Sequence, residues 1–263
     1  MAGRMNVMQS LLDGGIPLVA VSFRDNDSER LAREAEAAGV DVAELRIDQF
    51  SQTGTDHVLA QVRQFRNLPV LATVRAQREG GGWTGTELQR LELFRALAPV
   101  VDAVDIELSS SEILSEVVTS AKYHDKVVII SYHNFETTPT LGDLEVIVNN
   151  AKESGADYVK VSTMATSEND VRTLASLTLK ASHLGLVVIA MGVVGTVSRV
   201  FFPALGSRLT YSFMDDRTAP GQLDYIETFH LLRKFYPSFD QKKTLPMHYS
   251  RTPDARAGCT RSD

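Results

Sequence analysis

The residue best suited to chemistry is a lysine inside a short apolar run. Lys160 lies in residues 158–162 (YVKVS), a pattern that predicts a buried strand. Burial disfavours an ammonium ion and nearby arginines disfavour it further, so a neutral, nucleophilic amine is expected. Attack of this amine on a ketone would form an iminium ion, which acidifies the adjacent carbon. The next step needs a base that works near neutral pH, and His133 is the natural candidate.

The expected placement of these two residues supports a joint role. His133 ends the run 130–133 (ISYH), and Lys160 lies on the next predicted strand. The two side chains are therefore expected on neighbouring strands at the same end of a sheet. Taken alone, the lysine could reach the rim and the histidine could cap a loop. The pairing favours chemistry over these two structural roles.

Charged residues recur at alternate positions of other predicted strands. The runs 42–48 (VAELRID), 72–75 (ATVR) and 104–108 (VDIEL) each combine an apolar parity with a polar one. Successive side chains point to opposite faces of a strand, so each run packs one face on an apolar layer. The polar groups fall late in each run. This is typical of a ring of parallel strands whose C-terminal mouth holds an active site.

Eight predicted strands alternate with helical segments. They begin near Pro17, Val42, Pro69, Asp102, Lys126, Asp157, Leu186 and Leu209. Strict alternation with short connections predicts parallel strands joined by right-handed crossovers. Eight such units in 263 residues predict an α/β fold, a (β/α)8 TIM barrel in a single domain. The first strand is not followed by a G-x-G-x-x-G motif, which disfavours a dinucleotide-binding open sheet.

The ends of two segments are also predicted. Ser28 is the expected N-cap of the helix after the first strand, and Gly39 is expected to end that helix. Residues 1–236 are assigned to the catalytic barrel. Residues 237–263, which have a different composition and two prolines in their last 18 residues, are predicted to form a flexible C-terminal tail.

Composition and charge narrow the classes of function. A net charge of −6 and a pI near 5.6 disfavour nucleic-acid binding, so an anionic substrate would need a local arginine cluster. No run approaches the roughly 20 apolar residues of a membrane span. Cys259 is the only cysteine, which excludes an intrachain disulfide and favours a cytoplasmic location. No histidine pair has metal-ligand spacing, and the proposed chemistry requires neither a metal nor a cofactor.

Six segments together resemble the type I 3-dehydroquinate dehydratases, in the order in which that family carries them. They are 44–48 (ELRID), 73–75 with 79–81 (TVR and EGG), 131–139 (SYHNFETTP), 159–160 (VK), 191–199 (MGVVGTVSR) and 219–222 (APGQ). The resemblance spans about residues 16–235. Thr218 stands where many members carry serine, and the added methyl group is expected to alter loop closure or affinity.

The resemblance implies dehydration of 3-dehydroquinate to 3-dehydroshikimate through a Schiff base on Lys160. The reaction would serve the shikimate route to aromatic compounds or quinate breakdown. His133 would remove a C2 proton and later protonate the departing C1 hydroxyl. Glu79 is expected to pair with His133, although its place beside three glycines also fits a solvated loop carboxylate. A homodimer, common in the family, is expected.

The remaining substrate contacts are also implied by the resemblance. Arg199 is expected to bind the substrate carboxylate, because guanidinium and carboxylate groups form bidentate pairs. Residues expected to contact the ring hydroxyls, balance charge or line a closing loop are Glu44, Arg46, Arg75, Thr218 and Gln222, with Ser22 as an additional contact. A buried structural network is an equal alternative for Arg75.

Two other functions fit parts of the sequence. A Schiff-base aldolase on the same barrel would share Lys160 but would cleave a carbon–carbon bond. A non-catalytic barrel would bind a polyhydroxylated acid without reacting with it. Residues 131–139 and the pair of Arg199 and Gln222 favour dehydration over the aldolase.

Overall fold

Eight parallel strands form one sheet that curves into a nearly closed barrel. The computed structural model of the chain describes residues 7–215 and 218–240. The strands are β1 (Leu18–Phe23), β2 (Val42–Arg46), β3 (Val70–Thr73), β4 (Ala103–Glu107), β5 (Val127–Asn134), β6 (Tyr158–Met164), β7 (Leu186–Met191) and β8 (Leu209–Phe213). Every predicted strand start lies within one residue of the observed one, and the predicted TIM barrel is confirmed.

A helix follows each strand, and one further helix precedes β1. The helices are α1 (Val7–Asp13), α2 (Ser28–Ala38), α3 (Thr55–Gln64), α4 (Glu87–Leu97), α5 (Leu114–Tyr123), α6 (Leu141–Glu153), α7 (Glu168–Lys180), α8 (Ser198–Leu205) and α9 (Tyr225–Phe235). The sequence pattern did not predict α1. Its Met8 and Leu12 are buried in the apolar cluster at the lower end of the barrel interior. Within the described ranges, no helix has the length and apolarity needed to cross a bilayer.

The two faces of each strand have different surroundings. One parity packs under the helices and is apolar, as with Val104, Ile106, Val159 and Val161. The other parity faces the interior, where the lower layers are apolar and the upper layers are polar. Interior residues low in the barrel include Leu18, Val42, Leu71, Ala103 and Val127. The lower part of the barrel interior is therefore apolar, and the polar groups lie at the C-terminal mouth.

The lower rim repeats one hydrogen-bonding device around the barrel. A side chain just before each even-numbered strand accepts a bond from a backbone N–H of the preceding strand. The pairs are Asp41 with Val19 (2.8 Å), Asp102 with Val70 (2.8 Å), Asp157 with Val128 (2.8 Å) and Ser207 with Val188 (3.0 Å). The last pair helps to close the seam between β7 and β8, which the described ladders leave open. A bond of 2.8 Å from the Arg208 N–H to the Leu186 carbonyl also closes it.

Two predicted element ends can be compared with the structure. Gly39 ends α2 at a φ of 74°, a left-handed conformation that suits glycine. The prediction of Ser28 as N-cap is wrong, because α2 begins at Ser28 and its N-cap residue is Asp27. Asp27 takes a φ of 55° and its carboxylate pairs with Arg30 at 2.8 Å, so its side chain does not cap the helix.

The described chain ends just past α9. Phe239 is buried and packs edge-on against Phe229, with ring centroids 5.4 Å apart. The first four residues of the predicted tail therefore contain a side chain packed on the barrel. The rest of that predicted tail, residues 241–263, lies outside the described residues.

Candidate active site

All ten predicted site residues line one cavity at the C-terminal mouth of the barrel. The cavity encloses about 510 Å³, including its opening to solvent. The ten residues are Ser22, Glu44, Arg46, Arg75, Glu79, His133, Lys160, Arg199, Thr218 and Gln222. They come from seven different strand ends or loops, which is how barrel enzymes assemble a site. No group of three metal-ligating side chains that could hold an ion occurs in the part of the chain described.

Lys160 lies on β6 with its side chain 6% exposed. Its Nζ is 3.4 Å from Asp105 Oδ2, 3.7 Å from Glu44 Oε1 and 4.0 Å from the centroid of the Tyr211 ring. At an effective dielectric constant of about 20, each carboxylate attracts a cation at this distance by about 4–5 kcal/mol before desolvation. A cation–π contact contributes about 0.5–2 kcal/mol. The carboxylates therefore dominate the charge balance. The sequence suggested only burial and neighbouring arginines around this nitrogen.

The predicted contact between His133 and Glu79 is present. Glu79 Oε2 accepts from the backbone N–H of His133 at 2.9 Å and lies 2.9 Å from its Nδ1. Burial, followed by the charges of Arg75, Lys160 and Arg46, holds the pKa of His133 well below its usual value. Its imidazole is therefore neutral at neutral pH. Burial also raises the pKa of Glu79, against the hydrogen bond from Ser109 and the charge of Arg75.

The strand register places His133 next to Lys160. In the parallel pair of β5 and β6, Ser131 is opposite Lys160 and His133 is opposite Ser162. Neighbouring strands are about 4.8 Å apart, so the imidazole and the amine lie on one wall of the cavity. With Nδ1 directed to Glu79, Nε2 is the ring nitrogen left for the substrate.

Arg75 belongs to a buried ion network that sequence reasoning did not assemble. Its guanidinium pairs with Asp105 at 2.8 Å and with Glu107 at 3.0 Å. Glu107 also pairs with Arg90, a side chain with no exposed surface. Although burial opposes it, the charges of Asp105 and Glu107 raise the pKa of Arg75. Burial likewise opposes ionisation of Glu107, but Arg75 and Arg90 lower its pKa to about 2.

Arg199 is buried in a different way. It is the second residue of α8, and three backbone carbonyls hold its guanidinium: Gly221 (2.9 Å), Tyr211 (3.2 Å) and Pro220 (3.2 Å). Among residues 7–215 and 218–240, no carboxylate pairs with it. Burial lowers its pKa to about 10. This cation therefore lines the cavity with its charge uncompensated by the described residues.

The loop after β8, which carries Thr218 and Gln222, is held by hydrogen bonds of its own side chains. The side-chain oxygen of Gln222 accepts from the Thr218 backbone N–H at 2.8 Å and from its hydroxyl at 3.2 Å. The amide nitrogen of Gln222 donates to the Ser212 carbonyl at 3.0 Å. Gln222 therefore links the loop to β8. The same loop supplies two of the carbonyls that hold Arg199.

The remaining predicted contacts lie on β1 and β2. Ser22 donates to Glu44 at 2.5 Å, and Thr73 donates to the other oxygen of Glu44 at 3.0 Å. Arg46 forms a two-bond pair with Asp48, at 3.0 and 2.8 Å. Although burial opposes it, this pair raises the pKa of Arg46. The two residues on β2 thus carry opposite, internally held charges into the cavity.

Phe135 narrows the mouth beside the histidine. Its ring stacks on His133 with centroids 6.3 Å apart and planes at 16°. Gly80 permits this approach, because a Cβ at that position would come within 2.5 Å of the ring. Gly80 also takes a φ of 75°, so two constraints favour glycine there.

The position of this site defines the class of protein first. Ionisable groups gathered at the C-terminal mouth of a TIM barrel are typical of a barrel enzyme. Residues 17–238 match the model of the type I 3-dehydroquinase family. We conclude that the chain belongs to this family and is an enzyme of the 3-dehydroquinate dehydratase class.

Individual relatives support this assignment. The 3-dehydroquinate dehydratase of Thermodesulfovibrio yellowstonii is 33% identical over 221 residues, which cover 83% of this chain and 95% of the relative. The Aquifex aeolicus VF5 enzyme of the same name has a crystal structure that is 33% identical, with a TM-score of 0.75, covering 83% of this chain and 99% of that one. The type I enzyme from Clostridium difficile, solved with covalent modified comenic acid, is 28% identical with a TM-score of 0.79, covering 85% and 94%.

Proposed function

We propose that this chain dehydrates 3-dehydroquinate to 3-dehydroshikimate through a Schiff base on Lys160, with His133 as acid and base. The observation that carries this proposal is the buried amine of Lys160 in one cavity with the neutral imidazole of His133 on the adjacent strand. The family supplies the substrate. The covalently modified ligand of the Clostridium difficile relative supports a covalent step.

The amine of Lys160 starts the reaction in its neutral form. It attacks the C3 ketone to give a carbinolamine, whose hydroxyl takes up a proton from solvent and leaves as water, so that a cationic iminium remains. The iminium nitrogen is positive, as an ammonium is, so Asp105 and Glu44 neutralise it without rearranging. Charges that are already in place cost no reorganisation during the reaction. The two carboxylates beside the nitrogen therefore stabilise the cationic intermediate.

His133 then moves a proton twice. Its Nε2 removes a proton from C2, and the electron pair flows into the iminium to form an enamine. The resulting imidazolium protonates the C1 hydroxyl, which leaves as water while the enamine returns to a conjugated iminium. Hydrolysis by water releases 3-dehydroshikimate and restores the amine. Glu79 on Nδ1 fixes the tautomer and stabilises the imidazolium between the two transfers.

The other cavity residues orient the substrate. Arg199 binds the substrate carboxylate, because it supplies a buried cation with no acidic partner among the described residues. The ring hydroxyls contact Glu44, Arg46 and Ser22, and Thr218 and Gln222 close the cavity above. Arg75 acts mainly through charge, since its donors are already bound to Asp105, Glu107 and Ser131.

Covalent trapping tests the role of Lys160. Borohydride with 3-dehydroquinate should add one ligand mass at Lys160, and without borohydride the conjugated enone should absorb. Lys160→Ala should lose both signals, while Lys180→Ala, at an exposed lysine that pairs with Glu145, should keep them. Full turnover by Lys160→Ala would refute the Schiff base. An adduct without enone absorbance would favour an aldolase.

The role of His133 needs a separate test. His133→Ala should lose turnover but still form the adduct at Lys160, because imine formation comes before proton abstraction. The expected loss in kcat is about 10²–10⁴-fold, the usual contribution of general acid–base catalysis. Failure of this variant to form any adduct would count against a purely acid–base role.

The assembly and the compartment are further proposals. A homodimer is proposed from the family resemblance, and a cytoplasmic location from the single cysteine. Light scattering on the purified chain measures the assembly. A monomer at micromolar concentration would contradict the first proposal.

A further inference from the structure

Tyr211 is a buried cavity residue to which sequence reasoning gave no role. It lies on β8, is 4% exposed, and belongs to the apolar cluster of the barrel interior. The face of its ring lies 4.0 Å from Lys160 Nζ. Its hydroxyl is buried and has no hydrogen-bond partner among the described atoms. The ring has a close ionic neighbour, whereas the polar end of the side chain has none.

We propose that Tyr211 is a positioning residue whose ring face stabilises and positions the Lys160 nitrogen in its cationic forms, above all the iminium. The inference rests on the proposed Schiff base and adds a residue to it. A cation within about 6 Å of an aromatic centroid is attracted by the negative face of the ring. That attraction applies to the ammonium and to the iminium, and it is absent for the neutral amine.

The groups around the nitrogen leave this task to the ring. Among the described residues, Glu44 on β2 and Asp105 on β4 are the carboxylates within 4 Å of the nitrogen, and both favour positive charge on it. His133, Arg75 and Arg46 are further ionisable groups nearby. Tyr211 lies opposite them on β8 and presents a surface that makes no hydrogen bond to the nitrogen. The carboxylates set the charge, and the ring limits where it lies.

The backbone of Tyr211 has a second, separable contact. Its carbonyl oxygen accepts from the Arg199 guanidinium at 3.2 Å. A change of the side chain leaves that carbonyl in place, so Arg199 should keep its position for binding the substrate carboxylate. Burial, together with the charges of Glu44 and Asp105, raises the pKa of the Tyr211 hydroxyl well above its usual value. The phenol therefore stays neutral throughout the working pH range.

The test is a graded series at position 211. Tyr211→Phe keeps the ring and removes the unpartnered hydroxyl, so adduct formation should be preserved. The 4-fluoro, 3,5-difluoro and 3,4,5-trifluoro analogues of phenylalanine at this position keep the shape and progressively weaken the negative ring face. The trapped fraction relative to free Lys160 should fall in steps, by about 2- to 30-fold over the series. KM should change little, because Arg199, the proposed partner of the substrate carboxylate, keeps its position.

Controls separate this inference from the Schiff base itself. The trifluoro analogue at Phe202, a fully buried shell residue on α8, should leave trapping unchanged. A flat response across the series at position 211 would overturn the role of the ring while the adduct still supports the Schiff base. Without substrate, an upfield ring-current shift of the Lys160 Hε protons is expected, and Tyr211→Leu should abolish it. Absence of that shift in the unsubstituted enzyme would overturn the inference whatever trapping shows.

Discussion

Two arginines on opposite walls of the cavity are equally buried but differently supported. Arg75 is 3% exposed and lies between two carboxylates, whereas Arg199 is 2% exposed and its partners among the described residues are backbone carbonyls. The pKa of Arg75 is raised by its partners, and the pKa of Arg199 is lowered by burial. Arg75 is therefore assigned to the ion network that stabilises the fold. Arg199 keeps a desolvation penalty that an incoming anion would relieve.

Removing Arg75 should have the largest effect and should act on folding. Arg75→Leu leaves Asp105 and Glu107 buried with one cation fewer, which should lower the free energy of unfolding by about 3–5 kcal/mol. The melting temperature should fall by roughly 6–20 °C. Arg33→Leu, at a surface pair whose side chains are 67% and 69% exposed, is the matched control and should change little. Equal melting curves for the two variants would contradict this structural role for Arg75.

Removing Arg199 should act on binding instead. Arg199→Met keeps an apolar stem and removes a charge-assisted hydrogen bond worth about 1.5–3 kcal/mol, so kcat/KM should fall about 10- to 150-fold, mainly through KM. Its melting temperature should stay close to that of the parent enzyme, because the penalty of an unpaired buried cation is lost as well. A large loss of stability with unchanged KM would reverse the assignments of the two arginines.

The pH dependence should separate the same pair with a smaller effect. The Arg199 cation is present below its pKa of about 10 and is lost above it, so kcat/KM should fall as pH rises through 10. For folding the sign is opposite: the folded pKa lies below the unfolded value of 12.5, so the charged form opposes folding and that opposition fades above pH 10. Because the pKa of Arg75 is raised, Arg75 keeps its charge there and adds no change in kcat/KM near pH 10. Arg199→Met should lack the activity limb, as pH–rate profiles of enzyme stable at each pH will reveal.

The smallest effect is expected in the loop that holds Arg199. Thr218→Ser keeps both bonds to the Gln222 side-chain oxygen, so KM should change by no more than about twofold, within the scatter of surface changes. Thr218→Val has the shape of threonine but lacks the hydroxyl, and the lost bond should cost about 0.5–1.5 kcal/mol. Steady-state kinetics of the two variants measure the difference. A larger change in Thr218→Ser than in Thr218→Val would show that the methyl group, rather than the bond, governs closure.

Strand periodicity explains why so much of the barrel and the cavity was predictable. Alternate residues of a strand share a face, so Glu44, Arg46 and Lys160 had to point the same way as their neighbours on other strands. Chain order then placed those strands side by side. The strand residues among the ten expected in the site line one cavity for this reason, and the segments that follow the strands bring the others to it.

What was not predictable depends on distances between elements. Asp105 and Glu107 were visible as an alternating charged pair, but their partners Arg75 and Arg90 come from other elements. Tyr211 alternates with Leu209 and Phe213 on β8 and therefore has the sequence pattern of core. The N-cap at Asp27 depends on a local backbone conformation that residue preference at Ser28 did not indicate.

The acceptor before every even-numbered strand makes the bottom of the molecule a four-fold repetition, while no two walls of the mouth are alike. Assembly and reactivity are thereby assigned to opposite ends of the same strands. Each quarter of the base is fastened separately, so exchanging a mouth loop leaves all four fastenings intact. In such a barrel the loops at the reactive end can change in sequence while the hydrogen bonds at the base stay the same.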